Sequence, residues 1–268
     1  MTPDQHQAAA RTLLQAERTG SQCALLSRSY PDMTLEDAYA VQQALVHQKL
    51  SEGRRKIGWK IGLTSRAMQQ ALNITTPDSG VLLDDMLFEN GAVVPSGRFI
   101  QPRVEAEIAF VMKAPLAGVD CTREDVINAT DYVAPALEIL DTRILRQDPE
   151  TGQARIITDT VSDNAANAGV VLGAERHTLG ETTLDLRWTG AIVRRNGTVE
   201  ETGLGAGVLD DPVTSVLWLA QRLAEYGQTI EAGDIVLSGS FIRPIECPSG
   251  ADIFADFGPF GSVSIQFA

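Results

Sequence analysis

The chain has 268 residues, 44% of them hydrophobic and 21% charged, a balance that excludes disorder and collagen-like repetition and favours one large globular unit. The formal net charge is -13. Such a surface repels phosphate, which argues against nucleic acid and anionic membrane as partners; a small anionic substrate would need local positive charge or a metal.

The first elements in chain order are helical. Thr2-Pro3-Asp4-Gln5 reads as a capping box with proline in the first turn, followed by the apolar stripe Leu13, Leu14 and Ala16 and a stop at Gly20. Thr34-Leu35-Glu36-Asp37 opens a longer helix with Ala38, Val41, Leu45 and Val46 inward, ending near Gly53. Ile57 to Gly62 is apolar and strand-like, and a third short helix is expected over 66–72. From Val93 onward short strands bounded by Gly, Pro and Asn dominate, at 105–112, 132–140, 168–172, 184–193, 235–238, 252–257 and 262–267. Asn196-Gly197 reads as a hairpin turn. Two helices interrupt the strands, one starting at Thr122 and one at Asp211-Pro212, and the polar stretch 143–158 reads as a long functional loop or lid. Strands segregated from helices indicate an α+β fold. The expected layout is one catalytic domain, mostly helical over 1–75 and β-rich over 76–268.

Cys23, Cys121 and Cys247 are widely spaced and offer neither a zinc motif nor a disulfide framework. They fit small thiols in a reducing cytoplasm. The polar start, Thr2 to His6, lacks the pattern of a secretory leader, and no run reaches the roughly 18 apolar residues of a membrane span.

The most informative local feature is Val104-Glu105-Ala106-Glu107-Ile108. Strand side chains alternate, so Glu105 and Glu107 share one face, about 7 Å apart, while Val104, Ala106 and Ile108 take the other. The apolar run that follows suits a strand buried on both faces, where an ionised pair is costly without a cation. The pair alone leaves two readings open: a solvated sheet edge, or an all-oxygen site for a hard ion such as Mg²⁺ or Mn²⁺. Glu138, alone between Leu137 and Ile139, adds a third carboxylate and favours the metal. Lys60, in Ile57-Gly58-Trp59-Lys60-Ile61-Gly62, is either a desolvated lysine of lowered pKa that moves protons or a snorkelling one. Asp78 is most simply a turn former, and Ser162-Asp163-Asn164 a turn whose polar groups could reach a ligand. His6, His47 and His177 lie far from these groups in sequence, which weakens a hydrolase triad or dyad.

Together these segments resemble a known family. Gly58-Trp59-Lys60-Ile61-Gly62-Leu63-Thr64-Ser65, Pro77-Asp78-Ser79-Gly80, Leu83-Asp84-Asp85-Met86, Glu105-Ala106-Glu107, the run from Asp131 to Glu138 and the run from Ser162 to Gly169 occur in this order in the hydratase/decarboxylase branch of the fumarylacetoacetate hydrolase superfamily. The resemblance implies a helical N-terminal part on a mixed β-roll core, a divalent metal, and homopentamers or homodecamers. It implies Glu105, Glu107 and Glu138 as metal ligands, Lys60 and Asp78 as polar groups beside the substrate, and Ser162 and Ser240 as pocket-lining residues. The implied reaction adds water to a 2-hydroxy-2,4-dienoate or 2-oxo-alkenoate, whose C1 carboxylate and 2-oxygen chelate the metal. Decarboxylation of a vinylogous 2-oxo acid would use the same ligands; a non-catalytic assembly partner of a decarboxylase would have no need of them. For a diacid substrate, Arg66, Arg143, Arg146 and Arg155 are candidates to hold the second carboxylate.

Overall fold

The computed structural model of the chain describes residues 1–66, 69–70, 76–180 and 185–268. Two helices packed side by side in the same direction, α1 (Pro3–Thr19) and α3 (Leu35–Ser51), open the fold, with the single turn α2 (Leu26–Ser29) between them; Met1 and His6 meet Asp37 at their starts, and Glu17 meets Lys49 at their ends. Thr2 and Thr34 both close reciprocal capping boxes, and Gly20 ends α1 in the left-handed conformation. Each cap satisfies amide groups that a helix start leaves free. Leu13, Leu25, Val41 and Leu45 bury the shared face together with Ile144 and Val161 from far along the chain. The helical layer is therefore clamped to the core. The clamp is also polar: the buried Asp159 accepts hydrogen bonds from the Ser27 amide (2.8 Å) and hydroxyl (2.7 Å).

The core is two sheets. The larger comprises β1 (Lys56–Gly62), β2 (Asp78–Leu83), β3 (Leu87–Phe88), β5 (Arg103–Met112), β6 (Thr130–Leu140), β7 (Asn167–Leu172), β10 (Ile235–Leu237) and β11 (Ile245–Glu246). Its order is β2-β1-β10-β5-β6-β7-β3, with β11 also on β5. β1 runs parallel to β10 and β3 to β7; the other pairs are antiparallel, so the sheet is mixed. The smaller sheet orders β4 (Val93–Val94), β13 (Ser262–Phe267), β12 (Asp252–Asp256), β8 (Gly190–Arg195) and β9 (Thr198–Leu204). Asn196 and Gly197, both at positive φ, make the β8–β9 turn as the sequence predicts.

Strand alternation divides the large sheet. Val104, Ala106, Ile108 and Phe110 of β5 face the main hydrophobic core, joined by Trp59 and Ile61 of β1. The opposite face carries Leu82, Ala109, Ala136 and Leu237, and with them the charged residues discussed below. α4 (Arg123–Ala129) and α6 (Pro212–Ala224) start where expected, at Thr122 and Asp211.

Three local expectations change. Asp78 is the first residue of β2, not a turn, because Gly62 of β1 pairs opposite it. Part of the expected strand 184–193 is a 3₁₀ turn, Leu186–Trp188, since Asp185 accepts a hydrogen bond from the Arg187 amide (3.0 Å) and bends the chain; Leu184 lies outside the described residues. The polar stretch 143–158 is no free loop: Gln147 bridges Ala154, and the unforeseen helix α5 (Ile157–Ser162) follows. Most of the helix expected over 66–72 lies outside the described residues. No helix among those described is long and apolar enough to cross a membrane.

Candidate metal centre

The pairing of β5 with β6 sets Glu105 directly opposite Glu138, with Glu107 two residues further along the same face. One oxygen from each of the three lies within 4.8 Å of the others. Glu107 and Glu138 are fully buried and Glu105 partly exposed. Like charges directly opposite on a sheet repel, so this register is unfavourable unless a cation sits among them. The hydrogen-bond inventory says the same. Glu107 Oε2 accepts the Gly239 amide at 2.7 Å, but Glu107 Oε1 and both oxygens of Glu138 have no hydrogen-bond partner. Buried polar atoms without partners are rare, and here they converge on one point. An all-carboxylate donor set with free lone pairs suits a hard dication such as Mg²⁺.

Lys60 reaches this cluster from β1. Its side chain is 5% exposed, its Nζ lies 3.4 Å from Glu138 Oε1, and it donates to the carbonyl of Ala165 at 3.1 Å. The lowered pKa expected for a desolvated lysine is not found. Burial pulls it down, but Glu138, Asp78, Glu105 and Glu107 together push it above the ordinary lysine value. The lysine is a fixed ammonium in a carboxylate field, not a snorkelling one.

Asp78 joins the group from β2. Burial raises its pKa while Lys60 opposes the rise, and its Oδ1 has no hydrogen-bond partner. A Cβ on Gly62 would sit 2.2 Å from Asp78 Oδ1 and 3.0 Å from Lys60 Nζ. The missing side chain at Gly62 is thus what lets both groups occupy one place. Burial also pushes Glu105 up to about 8, helped by repulsion from Glu138, and drives Glu107 well above the usual carboxylate range.

A strained turn shapes the other wall. Asn164, Ala165 and Ala166 have φ of 52°, 53° and 59°, costing about 1 kcal/mol or more each. The turn is held because Asn164 Oδ1 accepts the Val81 amide (2.8 Å) and its Nδ2 donates to the Val81 carbonyl (2.9 Å). This conformation is what aims the Ala165 carbonyl at Lys60. Sequence reasoning placed a polar turn here but not its handedness, and it missed the Gly239 amide altogether.

Other candidates separate. Ser162 has a buried hydroxyl without a hydrogen-bond partner, three residues before Ala165. Ser240 Oγ is spent on its own turn, donating to the Ile242 carbonyl at 2.8 Å and accepting the Ile242 amide at 3.2 Å. His6 contacts Asp37 and His177 the Phe260 carbonyl; His47 is exposed on α3. Arg66 pairs with Asp210 at the surface (2.6 Å), and Arg143 is consumed by Asp163. Arg146 and Arg155 each keep a buried nitrogen without a hydrogen-bond partner, and so does Arg103, which the sequence reading overlooked. Its signal was available: Arg103, Glu105 and Glu107 alternate on one strand face.

No protein-family model matches the chain. It is 52% identical, over 98% of its length and 97% of the relative's, to a 2-oxo-hept-4-ene-1,7-dioate hydratase of Escherichia coli. The solved 4-oxalocrotonate decarboxylase of Pseudomonas putida G7, complexed with magnesium and adipate, is 35% identical with a TM-score of 0.92, covering 100% of this chain and 99% of that one. A fumarylpyruvate hydrolase of Pseudomonas aeruginosa, in complex with Mn²⁺ and pyruvate, shares the fold at 13% identity and a TM-score of 0.58, over 80% of this chain and 89% of that one. The chain belongs to the family of these hydratases and 4-oxalocrotonate decarboxylases, and its fold is that of the fumarylacetoacetate hydrolases.

Proposed function

We propose that this protein is a divalent-metal-dependent hydro-lyase that adds water to a 2-hydroxy-2,4-dienoate or its 2-oxo-alkenoate tautomer. The substrate we assign is 2-oxohept-4-ene-1,7-dioate, converted to 4-hydroxy-2-oxoheptanedioate in the degradation of 4-hydroxyphenylacetate. The observation that carries this reading is the convergence of Glu105, Glu107 and Glu138, with free oxygens on Glu107 and Glu138, beside Lys60 and Asp78, in a chain 52% identical to a hydratase of that substrate.

Glu105, Glu107 and Glu138 would hold Mg²⁺ or Mn²⁺, which supplies Lewis-acid stabilisation of negative charge on the 2-oxygen of a 2-oxo acid. The protein's own groups handle the protons. Hydration of the dienol needs loss of the 2-hydroxyl proton, one proton at C5, and a hydroxyl at C4 with a proton at C3, both from water. Lys60, kept charged by its carboxylate neighbours, suits the donor role and the holding of an anionic substrate oxygen. Asp78 suits the opposite one: its Oδ1 has free lone pairs, and its raised pKa brings proton uptake closer to neutral pH. Ser162, with a free hydroxyl, is assigned to the pocket wall. Ser240 keeps only a wall position, because its hydroxyl is already bonded to the backbone.

Assembly into homopentamers or homodecamers and a cytoplasmic setting belong to the same proposal; three unpaired cysteines support a reducing compartment. The test is incubation of the purified protein with the dienoate, with Mg²⁺ or with a chelator, and analysis of the product. Metal-dependent formation of the 4-hydroxy acid is expected. Release of CO₂ instead would assign decarboxylation, and no turnover of either kind would leave only an assembly role.

A further inference from the structure

Among the described residues, three arginines keep a buried guanidinium nitrogen without a hydrogen-bond partner: Arg103 Nε, Arg146 Nε and Arg155 Nη1. They are neighbours. Arg146 and Arg155 face each other across the strand-like bridge of Gln147 with Ala154, where the Arg155 amide donates to the Arg146 carbonyl at 2.8 Å. Arg103 and Arg146 line one cleft of about 640 Å³, whose walls include Phe99, Pro102 and Phe267. Burial pulls the Arg155 pKa down, and the positive charges of Arg143 and Arg103 pull the same way against Asp163 and Asp159. Three cations with unmet donors are thus gathered in a protein of net charge -13, an arrangement that an incoming anion would stabilise.

Arg103 ties this cluster to the metal centre. It lies two residues before Glu105 on the same face of β5, about 6.7 Å away along the strand. An extended seven-carbon diacid separates its terminal carboxyl carbons by six bonds of about 1.5 Å in zigzag, about 7.5 Å in all. Arg103 Nη2 already holds one carboxylate, that of the exposed Glu246, at 2.7 Å, while its Nε stays free.

We propose that Arg103, Arg146 and Arg155 form a subsite for the distal carboxylate of a dicarboxylic substrate whose 2-oxo acid end lies at Glu105, Glu107 and Glu138. This rests on the hydratase reading above and accounts for selection of a diacid over a shorter monoacid. A planar guanidinium fork takes both oxygens of a carboxylate, and a five-carbon monoacid carries no group that reaches it.

The experiment compares hydration of the seven-carbon diacid and the five-carbon monoacid, with Mg²⁺, in Arg103→Met, Arg146→Met and Arg155→Met. Arg187→Met, a surface arginine paired with Asp185, serves as the charge control. In the Arg103 and Arg155 variants, KM for the diacid should rise about tenfold or more, about 1.4 kcal/mol, so that the diacid-to-monoacid ratio of kcat/KM collapses. The control should keep the ratio of the parent protein. Arg155→Lys, which keeps the charge without the fork, should fall between, and it replaces any methionine variant that fails to fold. Parallel changes for both acids, or none, would overturn the subsite. A changed sedimentation coefficient with an unchanged ratio would also overturn it, assigning the arginines to a subunit contact. Calorimetric binding of heptanedioate against pentanoate needs no turnover. A parent protein that hydrates neither acid would therefore sink the hydratase reading, while the binding preference still decides the subsite.

Discussion

Arg143 and Asp163 are as deeply buried as Glu107 and Glu138, yet their charges are met differently. The Arg143 guanidinium donates to Asp163 Oδ1 (2.5 Å), to the Asp163 carbonyl (2.6 Å) and to the Asn167 carbonyl (3.1 Å), while its amide reaches Asp163 Oδ2 (2.8 Å). Charge balances charge, and the donors have acceptors. At the carboxylate cluster, Glu105, Glu107, Glu138 and Asp78 face the single ammonium of Lys60, and four of their oxygens accept nothing. A satisfied buried pair holds a fold in one register; an unsatisfied buried cluster stores an affinity for something that arrives from outside. The first is structural and the second is a site, although both are buried polar groups in the same chain.

The contrast can be broken by substitution. Glu107→Gln keeps shape and removes one charge. Turnover should fall about 1000-fold, about 4 kcal/mol of barrier, and the rise in melting temperature on adding Mg²⁺ should shrink. The metal-free protein should melt no lower than the parent, because a repulsive charge has gone; a clear fall would place Glu107 with the structural charges. Arg143→Met should act in reverse. It strands Asp163 in the interior at a cost of about 3–5 kcal/mol, lowering the melting temperature by about 10 °C. Whatever protein stays folded should turn over near the parent rate, and a selective loss of rate would move Arg143 into the site. For Lys60→Met we expect a rate about 100-fold lower or worse, with melting in saturating Mg²⁺ close to the parent. Unchanged turnover with a lowered melting temperature would show the lysine to be structural.

The smallest expected effect is on pH. Folding raises the Glu105 carboxyl from its ordinary value to about 8, chiefly through burial. The folded metal-free protein therefore keeps a proton that the unfolded chain releases above about pH 4.5. Stability should be lost as pH rises from about 4.5 to 8 and level off beyond. In chelator, melting at pH 8 should lie about 5 °C or more below that at pH 5, and added Mg²⁺ should restore more at pH 8 than at pH 5. A flat or opposite profile would mean that the cluster is met by charges within the chain, as Arg143 is by Asp163.

Local chemistry determined much of this protein from the sequence alone. The capping boxes at Thr2 and Thr34, the Asn196-Gly197 turn and the strand over Glu105 to Met112 rest on contacts within a few residues, and all are found. The shared face of Glu105 and Glu107 follows from a period of two and needs no partner strand. Tertiary structure decided the rest, because it depends on register and on what packs opposite. Only pairing of β5 with β6 brings Glu138 against Glu105, and only pairing of β1 with β2 brings Asp78 over Gly62 beside Lys60. A lysine's pKa follows the sum of burial and neighbouring charge, so counting burial alone gave the wrong sign for Lys60. The arginines teach the same lesson. In sequence Arg143, Arg146 and Arg155 belong to one polar stretch, yet the fold gives Arg143 an acid and leaves the other two with nitrogens unmet. Partners distant in sequence carry no local signal, and the partners decide whether a buried charge supports the fold or awaits a ligand.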